Sequence, residues 1–279
     1  MKKYFITGIL LSALTFIFMT GCDNLFKEDI TQYELETKEA VYTPDTTNPI
    51  VVAKIIIDSL NVKKQYVRTH ESLLGDLITD AVKWYVKEKD GIDVDIVLEN
   101  AGAIRTDTVY YPDHGDTLYL TDVMLARIFP FKEVGVKITL TGQELKSVLE
   151  RGASGLPLAE GRFLQVNREL EITIDTTKNP QLLNLDESAI VQEGERIVGC
   201  KYNGNDISPD ATYTVVMSRF VVYSGGDSYI AVINLPGNKK EDLGRYYLNA
   251  LISYLQHIDA VNNPIQADTI VGRRIHIEP

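Results

Sequence analysis

The stretch Asp93–Arg105, DVDIVLENAGAIR, begins as a strand and ends as a loop of small residues. Val94, Ile96, Val97 and Leu98 are apolar and mostly β-branched, the composition of a buried central strand. Glu99 and Asn100 end the apolar run, and Ala101-Gly102-Ala103 carries almost no side-chain bulk. Such a loop at a strand end lets a ligand come close to backbone N–H groups. Arg105 follows, with a planar fork of donors suited to phosphate or carboxylate. A plain strand-to-loop turn with a surface arginine explains the same residues, so the rest of the chain must decide.

The chain has 279 residues, 44% of them hydrophobic and 24% charged, with a net charge of −11. This is the composition of a globular protein. The acidic balance argues against binding a nucleic-acid polymer, which needs Lys and Arg against phosphates. A small anion in a local basic pocket is not excluded. Lys2 and Lys3, the apolar run Ile6 to Phe18, and Met19-Thr20-Gly21-Cys22 read as a lipoprotein signal, residues 1–21, with Cys22 as the lipidated N-terminus. The expected place is extracytoplasmic, on the membrane of a bacterial envelope, with the outer membrane favoured. After lipidation only Cys200 remains, so no disulfide within the chain is expected. The polar segment 22–49 reads as a tether, and 50–279 as one domain of mixed α and β structure.

Along that domain, Ile50 to Leu60 is read as a strand. Glu71 to Lys89 is an amphipathic helix with Leu74, Leu77, Ile78, Ala81, Trp84 and Tyr85 at three- and four-residue spacing. Gly75 inside it implies a close helix–strand approach or a ligand above the helix start. Tyr110 to Thr121 reads as a hairpin, and Thr121 as the cap of a helix Asp122 to Ile128. Val134 to Leu140 is a strand, and Thr141-Gly-Gln-Glu144 is a capping box opening a helix to Arg151. Phe163 to Asp175, Arg196 to Tyr202, Tyr213 to Met217 and Gly272 to Ile277 are further strands, and Leu243 to His257 is a helix. Phe129-Pro130-Phe131 can plug a core or offer an aromatic face to a base. Ser224-Gly225-Gly226-Asp227 can be a tight turn or present a carboxylate to ribose hydroxyls, as acidic residues do in dinucleotide sites.

Together and in order, these motifs resemble the C-terminal domain of the 5′-nucleotidase family. The carriers are Glu71-Ser-Leu-Leu-Gly75-Asp-Leu77, Asn100-Ala-Gly-Ala-Ile104-Arg105, Pro130-Phe131, Leu140 to Leu145, Phe163 to Val166, Gly225 to Asp227 and Gly272-Arg-Arg-Ile275. The resemblance spans Arg68 to Ile277. It implies an α+β fold, a layered α-β-β-α sandwich, and a substrate-binding domain for nucleotides. It implies that Phe131 and a second phenylalanine sandwich the base. Counting from the strand at Tyr213 selects Phe220, and counting back from Asp227 selects Val221. The strand count is preferred, because strand register fixes the face a side chain takes. By the same resemblance Asp227 binds ribose, Asn100 and Arg105 lie near sugar and phosphate, Arg68 sits on a strand supplying another phosphate arginine, and Gly161 lies near the base. His70 stands where some members have arginine. Glu133 replaces an asparagine that bonds the base, and Ser228 replaces a glycine; both bear on purine preference.

The family's N-terminal metallophosphoesterase domain holds two metals with Asp, His and Asn motifs. This sequence has four histidines and neither Asp-x-His nor Gly-Asn-His-Asp. Asp113-His114-Gly115-Asp116 reads as a loop. No catalytic residue, metal site or cofactor is therefore expected in this chain, and the divalent metals are expected on a separately encoded phosphoesterase partner. The expected function is nucleotide recognition within a split 5′-nucleotidase. The alternatives are a free-standing nucleoside- or nucleotide-binding lipoprotein and an interaction module with a decayed pocket.

Overall fold

A computed structural model describes residues 37–279; the signal, Cys22 and the first part of the tether lie outside the described residues. Five strands form the central sheet, in the order Lys240–Tyr246, Val134–Thr141, Thr212–Ser218, Ile96–Asn100, Leu164–Val166. Ile96–Asn100 runs parallel to Thr212–Ser218, with Val215 opposite Ile96. Val134–Thr141 and Leu164–Val166 run antiparallel to them. Alternation then sorts the side chains. Val97 and Val216 join one core, with helices Leu73–Asp90 and Tyr247–Val261. Ile96, Leu98, Val215 and Met217 join the other, with helix Gly142–Ala153 and a four-stranded sheet containing Leu170–Asp175 and Ile197–Tyr202. The result is a layered mixed α/β fold whose middle sheet is buried on both faces, as the unbroken apolar run of Ile96–Leu98 requires.

Ser72 caps the helix Leu73–Asp90 by accepting from the Gly75 N–H at 3.1 Å. Gly75 is where this helix meets the strand Leu164–Val166: a Cβ there would lie 2.3 Å from Gln165 Oε1. Thr141 and Glu144 form the reciprocal capping box.

Five readings are corrected. Residues 163–175 are not one strand; Leu164–Val166 belongs to the central sheet and Leu170–Asp175 to the four-stranded one. The chain crosses at Asn167, whose Oδ1 accepts from the Val97 N–H at 2.8 Å. The hairpin at 110–121 shrinks to a tight turn closed by one antiparallel bridge, His114 with Thr117. Val109–Tyr110 pairs with Leu60–Asn61, and Thr117–Thr121 with Val51–Ile56. Leu243 to Tyr246 is strand rather than helix; Gly244, at φ 62°, sits at the register shift just before the helix Tyr247–Val261. Arg68 is not on a strand but at the C-cap of the one-turn helix Lys64–Val67. Finally, the last part of the presumed tether is bound to the domain. Tyr42 donates its N–H to Asn249 and its hydroxyl to Asp122, and Glu39 accepts from Tyr85 and Arg245.

Candidate functional site

The central sheet delivers four chain segments to one edge. The parallel strands Ile96–Asn100 and Thr212–Ser218 end there, while their antiparallel neighbours Val134–Thr141 and Leu164–Val166 begin there. The residues just beyond these ends surround a cleft of about 300 Å³, near the lower limit for small-molecule sites. Asn100, Gly102, Ala103 and Arg105 come from the first strand end, Phe220 and Asp227 from the second, Phe131 and Glu133 from before the third, and Gly161 from before the fourth. Arg68 completes the wall from the helix-start loop. That loop is fixed by Gln165, whose Nε2 donates to the Val67 and His70 carbonyls at 2.8 Å each.

Two aromatic rings are left partly open. Phe131 is 41% exposed and Phe220 42%, whereas Val221 is 1% exposed in the core. Phe220 is thus the residue on the cleft side, carried by the one-turn helix Arg219–Val222 that follows the strand. The Phe220 ring lies on Gly226, where a Cβ would come within 2.2 Å of it. Phe129 plugs the core below, so the Phe-Pro-Phe corner does both things its composition allows. The Arg105 guanidinium lies over the Phe131 ring, 4.8 Å from its centroid, a cation–π contact.

Asp227 is held in the left-handed region at φ 59°, as is Ser228 at 54°. Aspartate tolerates this better than most residues. Arg151 donates Nε to the Asp227 carbonyl at 2.9 Å, and Asn100 donates Nδ2 to Asp227 Oδ2 at 2.9 Å. The Ser228 hydroxyl bonds Glu187. Burial pushes the Asp227 carboxyl upward, while Asn100, Arg162, Arg151 and Arg68 pull it down. Gly102 and Gly161 let two loops meet backbone to backbone, with the Gly102 N–H donating to the Gly161 carbonyl at 2.8 Å. Burial and the neighbouring Arg105 hold Arg68 below the usual guanidinium range. Arg68 Nε is buried without a hydrogen-bond partner.

Of the nine residues singled out in the sequence, eight line this cleft and His70 does not. With its carbonyl held by Gln165, His70 turns its exposed ring outward, stacked on Tyr66 at 5.1 Å. It borders a separate surface hollow with Gln65 and Pro157. Residues the sequence reading did not single out are Gly102, Ala103, Arg151 and Glu99. The small-residue loop was a signal for the first two; nothing in the spacing marked Arg151. Glu99 is 1% exposed, and neither of its oxygens has a hydrogen-bond partner. Burial, with Glu133 and Asp227 nearby, pushes its carboxyl well above the usual range. Among the described residues no group of three or more His, Cys, Asp or Glu is placed to hold a metal ion.

The model of the 5′-nucleotidase C-terminal domain family matches residues 51–233. The trifunctional nucleotide phosphoesterase protein YfkN of Bacillus subtilis (strain 168) is 30% identical over 186 residues, 67% of this chain and 11% of that protein. The 5′-nucleotidase precursor of Thermus thermophilus superposes with a TM-score of 0.64 at 26% identity, over 82% of this chain and 40% of that one. The NAD nucleotidase of Haemophilus influenzae gives 0.61 at 16% identity, over 82% and 38%, a likeness of fold. This chain spans less than half the length of each. The matched residues 51–233 include every residue that lines the cleft, and the chain belongs to the 5′-nucleotidase C-terminal domain family.

Proposed function

We propose that the cleft binds a nucleoside 5′-phosphate, with the base between Phe131 and Phe220, the ribose on Asp227 and Asn100, and the phosphate toward Arg68 and Arg105. The observation that carries this reading is the meeting of three kinds of wall around one cleft: open aromatic rings, a hydrogen-bonded carboxylate, and two neighbouring guanidinium groups. A base between two rings needs a gap of about 7 Å, twice the carbon–carbon optimum. Asp227 has acceptor capacity left after its bond from Asn100, enough for ribose hydroxyls. The unpartnered Arg68 Nε and its repulsion from Arg105 favour a doubly charged anion between them. Val221 lies in the core and the cleft is open, which speaks against a decayed pocket.

We propose further that hydrolysis of the bound nucleotide is carried out with a separately encoded metallophosphoesterase that supplies the metals, since in-line displacement by two metals needs ligands that residues 37–279 do not group together. Lipidation at Cys22, which would keep the pair at an extracytoplasmic membrane surface, rests on the sequence of the signal.

The test is calorimetric titration of the full-length chain with ribonucleosides and their 5′-monophosphates. Base stacking contributes about 1–3 kcal/mol, so Phe131→Ala is expected to weaken nucleosides and nucleotides alike, roughly 5- to 150-fold. Arg105→Ala is expected to weaken nucleotides far more than nucleosides. Failure of every nucleoside and nucleotide to bind at millimolar concentration refutes the reading.

A further inference from the structure

Below the nucleotide cleft lies a second, much smaller hollow that shares Ala103, Phe131 and Glu133 with it. Its volume is about 10 Å³, room for one water-sized group. Its other polar walls are Glu99 and Tyr247. Both Glu99 oxygens and the Tyr247 hydroxyl are buried without a hydrogen-bond partner. Buried polar atoms are nearly always bonded to something. Three unfilled polar atoms around a space of that size therefore point to one small polar group rich in N–H or O–H donors. Glu133 stands at the junction, touching the cleft on one side and the hollow on the other.

From this placement we infer that the cleft selects guanine, with the Glu133 carboxylate accepting from the ring N1–H and the exocyclic N2 amino group, and the hollow receiving that amino group. The inference rests on the nucleotide reading above. Guanine is the one common nucleobase with a ring N–H directly beside an exocyclic amino group, two parallel donors matching the two oxygens of a carboxylate. Adenine and cytosine place a ring acceptor beside their amino group, so a lone pair would face Glu133. Hypoxanthine keeps N1–H and lacks the amino group; uracil flanks its N–H with carbonyls. Glu99 is the more deeply buried of the two carboxyls, and Glu133 adds to the pressure that keeps it protonated. Burial raises the Glu133 carboxyl above its ordinary value, and the Phe220 backbone offsets part of that rise. Since each carboxylate oxygen accepts twice, both can still receive a donor.

Calorimetry of the full-length chain with guanosine, inosine and adenosine, all free of phosphate, tests this directly. Guanosine is expected to bind tightest, inosine less tightly and adenosine weakest, with about 10- to 150-fold between the first and last, the range for hydrogen bonds to a charged group. Glu133→Gln is expected to remove most of that ratio by weakening guanosine but not adenosine, whose ring lone pair and amino group are complementary to a carboxamide. A thermal melt of the variant reports whether it folds, and the wild-type ratio stands without it. Equal or tighter binding of adenosine by the wild type overturns the inference and leaves the nucleotide reading intact. An equal loss of both ligands in Glu133→Gln assigns Glu133 a structural role and also overturns it. No binding of any nucleoside removes both.

Discussion

Glu99 carries the last side chain of its strand but one, and it enters the fold with neither oxygen bonded. Burial raises that carboxyl well above 4.5, the ordinary value at which the unfolded chain ionises it. Its folded value is raised, so the stability it allows is complete below the unfolded value. That stability declines as pH rises from there toward the folded value, by up to ~1.4 kcal/mol per pH unit. Glu99→Gln keeps the shape and removes the titration. The variant is expected to match the wild type near pH 4.5 and exceed it in urea midpoint at pH 7–8; an unchanged difference across that range would refute a neutral buried Glu99. Other residues of the cleft were legible because motifs fixed them in sequence. The count from the strand selected Phe220, although the one-turn helix Arg219–Val222, rather than strand alternation, turns its side chain to the cleft. His70 was not legible. Its position beside Arg68 says nothing about a one-turn helix that rotates the two side chains apart.

At the scale of elements, helices read well where caps and periodicity agree. Asp122–Ile128 begins after Thr121, and Gly142–Ala153 after its capping box. Strand ends read poorly, because pairing partners far along the chain decide them. In Phe163–Asp175 the apolar alternation continues across Asn167, yet the chain changes sheets there. The signal was Asn167 itself, a residue rare in strands and common in turns. Its fully buried side chain accepts from the Val97 N–H at 2.8 Å and donates to the Asp95 carbonyl at 3.2 Å. It therefore replaces ladder bonds that the departing strand cannot make. Asn167→Leu keeps the volume and strands those groups. An unpaired buried donor costs about 1–3 kcal/mol, so the variant is expected to unfold at lower urea by that amount. A midpoint within experimental error of wild type would show that the central strand is bonded without it.

Across the whole molecule, the C-terminal segment is fastened to the helix Leu73–Asp90 by a buried arginine. Arg274, 2% exposed, precedes the strand Ile275–Glu278 and reaches the helix Leu73–Asp90. It donates Nη1 to Asp80 at 3.1 Å and Nη2 to Asp80 at 3.0 Å, and Nη1 also to the Val166 carbonyl at 2.9 Å. One side chain thus ties the helix after the Arg68 loop, the strand that carries Gln165, and the C-terminal segment. The Gly-Arg-Arg-Ile motif marked the closing strand but not which arginine turns inward. Arg273 takes the left-handed region at φ 47°, and the burial falls to its neighbour. Asp80 has a second partner in Arg168 at 2.7 Å, but that side chain is 55% exposed. The two arginines are therefore expected to differ sharply. Removing one member of a buried pair costs about 3–5 kcal/mol, and an exposed pair contributes about 0–1 kcal/mol. In urea titrations, Arg274→Ala should lower the midpoint several times more than Arg168→Ala, with the slope unchanged in both if unfolding stays two-state. Because Arg274 also holds the strand that fixes the Arg68 loop through Gln165, its loss should weaken nucleotide binding even where the protein remains folded, while Arg168→Ala should not. Equal effects of the two substitutions on stability would place the anchor of the C-terminal segment elsewhere.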